Sequence, residues 1–216
     1  MKKIQLLSVD MQKDFLVEGG KHFHKHSNIE FISNTLIPFC EKNAIKIAEI
    51  ISDYRQPRPG DRDDSCNPGT IGYESEIPDN VKLNPVWIKC MNSPIWIRTG
   101  IGDSNSKAGI PYEDSKAFGE WLDNVIGKNY KVDIVLFGLT IDCCVLCTAQ
   151  ELSMRGYRVS VLKEGVDTYS GNRLEKDEIL TGSVLRNWST VINWKSLKRK
   201  LSISDNESNY LESKMG

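Results

Sequence analysis

The sequence predicts an α/β protein with three layers (αβα), in which helices cover both faces of a mostly parallel central sheet. The first observation is an alternation along the chain: apolar runs of strand length are followed by segments whose apolar residues recur at helical spacing. The second is that runs such as residues 131–138 are apolar almost throughout, as expected of strands covered on both faces. Because alternating strands and helices are normally joined by right-handed crossovers, the pattern favours parallel pairing over hairpins.

Six segments have the length and apolar content of strands. The first two each end at an aspartate. A long segment rich in proline, glycine and aspartate separates the second strand from the third, and this composition predicts irregular structure. The predicted strands are residues 4–10, 46–53, 84–90, 131–138, 157–164 and 189–194.

Four segments carry apolar residues at helical spacing. In the first, Pro38 is expected to kink or stop the helix, because proline has no N–H to donate. The second has a start signal at Asp114 or Ser115 and is followed by Gly127, and Gly156 closes the third. The predicted helices are residues 28–44, 114–127, 142–156 and 173–187.

The chain length of 216 residues suits one domain with a substantial core. We place that domain at residues 1–194, followed by a polar tail at residues 195–216 that is either partly disordered or a peripheral helix. Residues 91–113 form a longer connection than is typical, and such connections often act as lids. Trp96 and Arg98 on this segment are therefore candidate substrate-binding residues.

Composition and charge narrow the range of partners. A net charge of −1 at pH 7 gives no electrostatic basis for binding nucleic acid or an anionic membrane. No apolar run approaches the roughly 20 residues that a bilayer span requires. The first apolar stretch reaches Asp10 too early for a secretory signal, so we expect a cytoplasmic protein whose six cysteines are free thiols. The expected partner is a small-molecule substrate.

Charged residues stand at the C-terminal ends of three predicted strands: Asp10, Asp53 and Lys89. The turn after the fourth predicted strand, "GLTIDCC", belongs to the same edge of the sheet. Ligands of open parallel sheets bind outside these strand ends. Because a lone buried charge is costly, we expect these charges to be paired and to share one site.

The stretch "GLTIDCCVLCTA" contains three cysteines, Cys143, Cys144 and Cys147, which together span only five positions. One alternative is a metal site, but the chain offers no partner pair of cysteines or histidines to complete it. Another is that the cysteines are small apolar side chains of the core. As a nucleophile, a thiol in the first turn of a helix feels the positive end of the helix dipole. The strand-to-helix turn also offers backbone N–H groups to a developing oxyanion. The residues alone leave these alternatives open.

The motifs "LLSVDMQKDF", "VWIKC" and "GLTIDCCVLCTAQEL" resemble those of the isochorismatase-like cysteine hydrolases. This group includes nicotinamidases, N-carbamoylsarcosine amidase and ureidoacrylate amidases, and the resemblance covers roughly residues 4–193. It implies the Rossmann-like, isochorismatase-like hydrolase fold. It also implies that Cys144 is the nucleophile, Asp10 the catalytic aspartate and Lys89 the catalytic lysine.

The resemblance extends to the surroundings of the nucleophile. It implies a cis peptide bond between Leu139 and Thr140, and an oxyanion hole formed by the N–H groups of Thr140 and Cys144. Phe15 matches an aromatic residue that packs on the substrate ring, with plain core packing as the alternative. Cys143 is expected to line the pocket or to pack, and Cys147 to be structural.

The sequence departs from the nicotinamidases at their metal site. Asp53 matches one ligand, but Arg55 and Ser65 stand where the two histidines belong. Arginine is not deprotonated in proteins and cannot ligate, so we expect no metal cofactor. Arg55 is expected to form an ion pair with Asp53, and the alternative is that it binds a substrate carboxylate.

All three histidines of the chain alternate in the stretch "KHFHKH". His22, His24 and His26 are expected to lie in a solvated loop. The alternative is that they rebuild a metal site, with zinc as its ion.

These observations predict a cysteine hydrolase that cleaves the C–N bond of a small carboxamide or carbamoyl compound through a thioester intermediate. The alternatives are a nicotinamidase with an altered metal site, an isochorismatase-type vinyl-ether hydrolase, and a non-catalytic protein that binds a ligand. Cys144 argues against the vinyl-ether branch, whose members typically lack the cysteine, and the joint presence of Asp10 and Lys89 argues against a non-catalytic descendant. Because proteins of the group commonly self-associate, the resemblance also implies a homo-oligomer.

Overall fold

The structure is a computed structural model that describes residues 2–60 and 64–202. Six strands form a parallel central sheet, and a short antiparallel pair lies outside it. In chain order the strands are β1 (Lys3–Val9), β2 (Ile47–Ser52), β3 (Trp87–Lys89), β4 (Trp96–Ile97), β5 (Tyr112–Glu113), β6 (Val132–Leu139), β7 (Arg158–Asp167) and β8 (Thr190–Ile192), of which β4 and β5 form the antiparallel pair.

The strand order across the sheet is β3-β2-β1-β6-β7-β8, and every neighbouring pair is parallel. The chain therefore builds outward from β1 to β3 and then returns to add β6 on the other side of β1. Such a reversal leaves a crevice beyond the C-terminal ends of the two strands where it occurs, which are β1 and β6 here. The predicted parallel α/β fold is confirmed.

The two central strands are buried on both faces. Leu7 of β1 and its register partner Leu136 of β6 contribute to one core cluster, while Leu6 and its partner Val135 contribute to the other. Because side chains alternate between the faces of a strand, one uninterrupted apolar run supplies both cores. This explains why the strands lack an alternation of apolar and polar residues.

Helices cover both faces of the sheet. Two of them are extended by single π-helical turns, Ile32–Leu36 and Leu122–Ile126. Asp114 caps the second of these helical segments by accepting a hydrogen bond from the N–H of Ala117, and Gly127 ends it with a φ of 106°. The α-helices are α1 (Lys13–Leu16), α2 (Asn28–Phe31), α3 (Ile37–Lys42), α4 (Ser115–Trp121), α5 (Cys144–Met154), α6 (Arg173–Thr181) and α7 (Ser183–Arg186).

Pro38 does not stop the first long helical segment. The π-helical turn Ile32–Leu36 connects α2 to α3, and Pro38 lies in the first turn of α3. A π-turn inserts one extra residue into a helix, which gives the proline ring room against the preceding turn. Pro38 therefore marks an irregular turn inside a helix that continues to Lys42.

Some predicted boundaries shift. β7 runs to Asp167, past the predicted end at residue 164, and it pairs with β6 through a register shift between Leu136 and Gly138. The helical pattern at residues 173–187 is divided into α6 and α7 at Gly182. Residues 91–113 contain the short pair β4 and β5.

Gly138 allows a close approach between β1 and β6. Its φ is +119°, and a Cβ atom at this position would lie 2.1 Å from the carbonyl oxygen of Val9. A side chain is therefore excluded at position 138 of β6. The register partner of Gly138 is Val9, the last residue of β1 before Asp10. The approach fixes the separation of the two strands that flank the crevice.

The beginning of the predicted tail is an integral part of the fold. Residues 194–202 are helical, and Leu197 and Leu201 are buried in the same core cluster as Leu162 and Ile192. This stretch is helical, as the second alternative for the tail predicts, but its leucines pack in the core and not at the periphery. The rest of the predicted tail lies outside the described residues. Among the helices of the described ranges, none has the length and apolar character needed to cross a membrane.

Candidate active site

Three neighbouring strands bring polar side chains to one edge of the sheet. Asp10 directly follows β1 in a left-handed backbone conformation (φ 54°), and its N–H donates to the carbonyl of Ile50 at 2.9 Å. Ser52 and Lys89 are the last residues of β2 and β3, and they are register partners. Asp10, Ser52 and Lys89 are all fully or almost fully buried, so their polar groups must bond with one another.

The ammonium group of Lys89 is the centre of this cluster. Its Nζ lies 2.9 Å from Oδ2 of Asp10, 2.8 Å from Oγ of Ser52 and 2.6 Å from the hydroxyl of Tyr54. Ser52 donates its own proton to the second carboxylate oxygen of Asp10 at 2.7 Å. Three oxygens therefore accept the three N–H bonds of Lys89, and a buried ion pair is retained at low cost only when its hydrogen bonds are satisfied in this way.

Cys144 joins the cluster from the other side of the crevice. It is the first residue of α5, which begins shortly after β6 ends. Its Sγ lies 3.4 Å from Nζ of Lys89, 3.2 Å from the hydroxyl of Tyr54 and 3.8 Å from Oδ1 of Asn92. The sulfur thus faces a cation while sitting at the positive end of a helix dipole.

The protonation states in the cluster follow from burial and charge. Burial by itself would lower the pKa of Lys89, but the combined effect of Asp10, Cys144 and Tyr54 outweighs it and raises that pKa, so the side chain remains an ammonium. The hydrogen bond with Cys143 and burial raise the pKa of Cys144, against the opposing effect of Lys89. The same hydrogen bond lowers the pKa of Cys143. Cys144 therefore rests as a thiol, and it needs a nearby base to become a nucleophile.

The cluster lies at the floor of a cavity of about 390 Å³, which is within the size range of small-molecule sites. Asp10 and Cys144 both line it, so a base and a thiol face the same space. The other lining residues come from the segments that follow β1, β2, β3 and β7, and from the end of β6 with the turn before α5. They are Phe15, His22, His26, Tyr54, Arg58, Asn92, Leu139, Thr140, Asp142, Cys143 and Tyr169.

Backbone donors border the same cavity. The peptide bond between Leu139 and Thr140 is cis, at the position that the sequence resemblance implies. In the part of the chain that the structure describes, the N–H groups of Thr140 and Cys144 have no backbone acceptor. Both residues line the cavity, so these two donors are available to an oxygen atom of a ligand.

No family model and no curated protein matches the chain, but solved structures do. A pyrazinamidase of Pyrococcus horikoshii in complex with zinc matches with a TM-score of 0.60 and 16% identity, over 89% of this chain and 99% of that one. N-carbamoylsarcosine amidase from Thermoplasma acidophilum matches with a TM-score of 0.55 and 18% identity, over 88% of this chain and 96% of that one. An isochorismatase family protein from Desulfovibrio vulgaris reaches 0.62 at 14% identity, over 94% of this chain and all of that one. This chain has the isochorismatase-like hydrolase fold.

Within this isochorismatase-like fold, Arg55 fills the corner where the sequence resemblance places a metal. Its Nε and Nη2 donate to the two carboxylate oxygens of Asp53 at 2.9 and 2.6 Å. The other N–H bonds go to the carbonyls of Gly100, Asp103 and Ser106 at 2.8 to 3.0 Å. The predicted ion pair is confirmed. The alternative role of Arg55 as a substrate-binding residue is wrong, because all five of its donors are engaged.

The residues at this corner do not fit a metal ion. Both oxygens of Asp53 face a guanidinium, and the N–H of Gly102 also donates to this carboxylate at 3.0 Å. Ser65 bonds to Tyr54 through the backbone but brings a hydroxyl where a zinc site would have an imidazole. Across residues 2–60 and 64–202, no three His, Cys, Asp or Glu side chains are grouped as metal ligands.

Two of the predicted substrate-binding residues line the cavity, and two others do not. Phe15 and Cys143 form part of its wall. Trp96 instead belongs to β4 and pairs with Glu113, and Arg98 is 2% exposed and donates to the carbonyl of Arg55 at 2.7 Å. The assignment of Trp96 and Arg98 to substrate binding is corrected, because the 91–113 segment folds back on itself and uses its arginine internally.

The three histidines are not a solvated patch. His22 stacks on Phe15 with ring centroids 6.0 Å apart, and His22 and His26 both line the cavity. His24 packs on Tyr169 at 4.4 Å. Burial lowers the pKa of His26, which favours its neutral form. The prediction of a solvated loop is wrong here, because the chain after α1 folds against the cavity and packs its histidines on aromatic rings.

Tyr54, Ser52, Asn92 and Arg58 belong to the site but were not identified from the sequence. Tyr54 and Ser52 flank Asp53 at the C-terminal end of the second predicted strand. That position at the ligand-binding edge of the sheet is the observation that could have identified both. Arg58 stacks on the ring of Tyr54, with its guanidinium carbon 3.6 Å from the ring centre. Arg58 belongs to the irregular segment after β2. The sequence of this segment has no hydrophobic periodicity, so the position of Arg58 could not be predicted from it.

Proposed function

We propose that this protein is a cysteine hydrolase that cleaves the C–N bond of a small carboxamide or carbamoyl compound. The observation that carries the proposal is one ammonium, Nζ of Lys89, that contacts both the Asp10 carboxylate at 2.9 Å and the Cys144 sulfur at 3.4 Å. A base, a nucleophile and a cation therefore meet at the floor of one cavity. Matching structures named as a pyrazinamidase and an N-carbamoylsarcosine amidase support the same reaction class.

Acylation uses Asp10 as the base. Its carboxylate takes the proton of the Cys144 thiol, and the sulfur attacks the carbonyl carbon of the substrate. As the C–S bond forms, the carbonyl electron pair moves to oxygen, which the N–H groups of Thr140 and Cys144 stabilise. The C–N bond then breaks, and Asp10 returns its proton to the nitrogen that leaves as ammonia or an amine.

Hydrolysis of the thioester completes the cycle. A water molecule donates a proton to Asp10 and adds to the acyl carbon, and the C–S bond breaks. The acid is released and the proton on Asp10 returns to the sulfur of Cys144, which restores the resting thiol. Lys89 keeps its charge throughout and stabilises first the carboxylate and then the thiolate.

The cavity also suggests the size of the substrate. A volume of about 390 Å³ suits a compound of small-metabolite size, and the aromatic rings of Phe15 and Tyr54 border it. Phe15 meets the ring of Tyr54 edge-on at 6.3 Å, which leaves an apolar wall beside the thiol. A flat carbonyl compound fits such a wall.

The test is a panel of small carboxamides and carbamoyl compounds that includes nicotinamide, with ammonia release as the measurement. We expect at least one compound to be hydrolysed. We also expect acid-quenched enzyme to carry the acyl group on the peptide that contains Cys144, because a thioester is the intermediate. Protein alkylated beforehand at Cys144 is the matched control. Ammonia release without any acylated Cys144 peptide, or no turnover of any compound, would contradict the proposal.

We further propose that the reaction needs no metal ion. Treatment with a chelator such as EDTA should leave kcat/KM within about twofold, and added Zn²⁺ should not raise Tm, because the guanidinium of Arg55 covers both oxygens of Asp53. Initial rates and thermal unfolding before and after dialysis measure these two effects. Activity that the chelator abolishes and zinc restores would show the prediction to be wrong.

A further inference from the structure

The hydroxyl of Tyr54 contacts both the cation and the sulfur of the proposed active site, which also contact each other. It is 2.6 Å from Nζ of Lys89 and 3.2 Å from Sγ of Cys144, and the residue is 4% exposed. Its ring is held by the edge of Phe15 and by the guanidinium of Arg58 stacked on its face. The hydroxyl is therefore fixed at the reacting atom without depending on a substrate.

A count of protons gives the direction of these hydrogen bonds. Nζ of Lys89 has three N–H bonds and four neighbouring acceptors. The oxygens of Asp10, Ser52 and Tyr54 at 2.6 to 2.9 Å are closer than the Cys144 sulfur at 3.4 Å, so we assign the three protons to the oxygens. The hydroxyl of Tyr54 is thus an acceptor toward Lys89, and its own proton remains to be donated. The candidate acceptors are the Cys144 sulfur at 3.2 Å and Oδ1 of Asn92 at 3.5 Å, which is the limit of a hydrogen bond. The sulfur is the better placed of the two.

We propose that Tyr54 is a further catalytic residue, whose hydroxyl donates a hydrogen bond to the sulfur of Cys144 and stabilises the thiolate. The inference deepens the proposed function and rests on it. Because the three closest acceptors of Lys89 are oxygen atoms, the hydroxyl of Tyr54 adds a directed hydrogen bond to the charge that Lys89 already places 3.4 Å from the sulfur. Burial raises the pKa of Tyr54, which keeps the phenol protonated and able to donate.

The hydrogen bond changes in strength during the reaction but transfers no proton. When Asp10 takes the thiol proton, the sulfur becomes an anion, and a hydrogen bond to a charged acceptor is stronger than one to a neutral thiol. When the thioester forms, the sulfur loses its charge and the bond weakens again. Tyr54 therefore stabilises the thiolate selectively over the resting thiol and the acyl enzyme.

Other groups that face the sulfur also affect its titration. Lys89 and Asp10 act within the buried cluster, and Cys143 is hydrogen-bonded to Cys144. Across the cavity lie His22, His26, Arg58 and Asp142. A substitution that removes only the hydroxyl of Tyr54 leaves all of these groups in place.

The experiment compares the wild type with Tyr54→Phe and the control Tyr157→Phe. The control also removes a hydroxyl from a buried tyrosine ring. In the wild type, however, the hydroxyl of Tyr157 donates to the carbonyl of Gly127, and Tyr157 does not line the cavity. Alkylation of Cys144 by iodoacetamide, followed by peptide mapping, gives its rate between about pH 6 and pH 10. Tyr54→Phe should react about threefold to tenfold more slowly at neutral pH, because the pKa of the thiol rises. Tyr157→Phe should react like the wild type.

Kinetics on a turned-over amide give a second measurement. Tyr54→Phe should lower kcat by about 10- to 100-fold with little change in KM, since the hydroxyl contacts the sulfur and not the substrate. Thermal unfolding verifies that the variant is folded. Unchanged alkylation would overturn the inference, and faster alkylation would do so too, because it would mean that the hydroxyl accepts a hydrogen bond from the thiol. If alkylation slows but no amide is hydrolysed by the wild type, the proposed function fails and the hydrogen bond stands.

Discussion

Cys144→Ala is expected to reduce kcat for amide hydrolysis by a factor on the order of 10⁶, to the level of the uncatalysed reaction in the assay. The change removes the only group in the proposed mechanism that bonds to the substrate carbon, and no other group can form the thioester. Because alanine suits the first turn of α5, the fold should persist. Ammonia release on the best substrate of the panel measures the activity, and circular dichroism verifies the fold.

Matched cysteine variants make this prediction specific. Cys147 lies one turn along α5, and Cys147→Ala should keep activity within about threefold of wild type. Cys143→Ala distinguishes the adjacent thiols, whose hydrogen bond lowers the pKa of Cys143 and raises that of Cys144. Contact with Lys89 is the reason for choosing Cys144. A complete loss in Cys143→Ala together with an active Cys144→Ala would reverse this choice of nucleophile.

Lys89→Met should lower the free energy of unfolding by about 3–5 kcal/mol and also abolish amide hydrolysis. The substitution keeps the volume of the side chain but leaves the carboxylate of Asp10 buried, with 1% exposure, and without its cation. It also removes the hydrogen bonds that Lys89 donates to the hydroxyls of Ser52 and Tyr54. Urea unfolding of the wild type and the variant measures the change in stability.

The double variant Asp10→Asn/Lys89→Met separates the two effects. With the unpaired charge removed, most of the lost stability should return, because replacing both members of a buried ion pair costs far less than removing one. Activity should not return, since the base is also gone. A double variant as unstable as Lys89→Met would show that packing around Lys89, and not the charge of Asp10, determines the stability of this cluster.

The meeting of the central residues at one edge of the sheet could be predicted from topology, whereas the choice of Cys144 among the three cysteines is what the resemblance to the isochorismatase-like hydrolases implies. Asp10 and Lys89 follow or end buried strands, and Cys144 begins the helix after another strand. In a parallel sheet such positions converge whatever the loops do. The order of the strands, which sets β1 beside β6, did not have to be known for this convergence to be expected.

The surrounding wall could not be predicted because it consists of irregular segments. The length of the 91–113 segment assigns Trp96 and Arg98 to the pocket, yet Trp96 pairs within the segment and Arg98 is buried against the carbonyl of Arg55, and it is Asn92 of the same segment that lines the cavity. The histidine-bearing segment was expected in solvent, yet it borders the cavity. Hydrophobic periodicity predicts helices and strands, whereas the path of a loop depends on hydrogen bonds between residues far apart in sequence, such as those of Arg55.

The hydrogen bonds of Arg55 also bear on how substrate is admitted. Three carbonyls in the middle of the 91–113 segment are tethered to a guanidinium that is itself anchored to the carboxylate at the end of β2. A segment pinned at its midpoint is poorly suited to swing open as a unit. We therefore expect passage into the crevice to depend on displacement of residues 21–26 or of the stretch around Arg58, and substitutions there to alter the rate of substrate capture before they alter the chemical step.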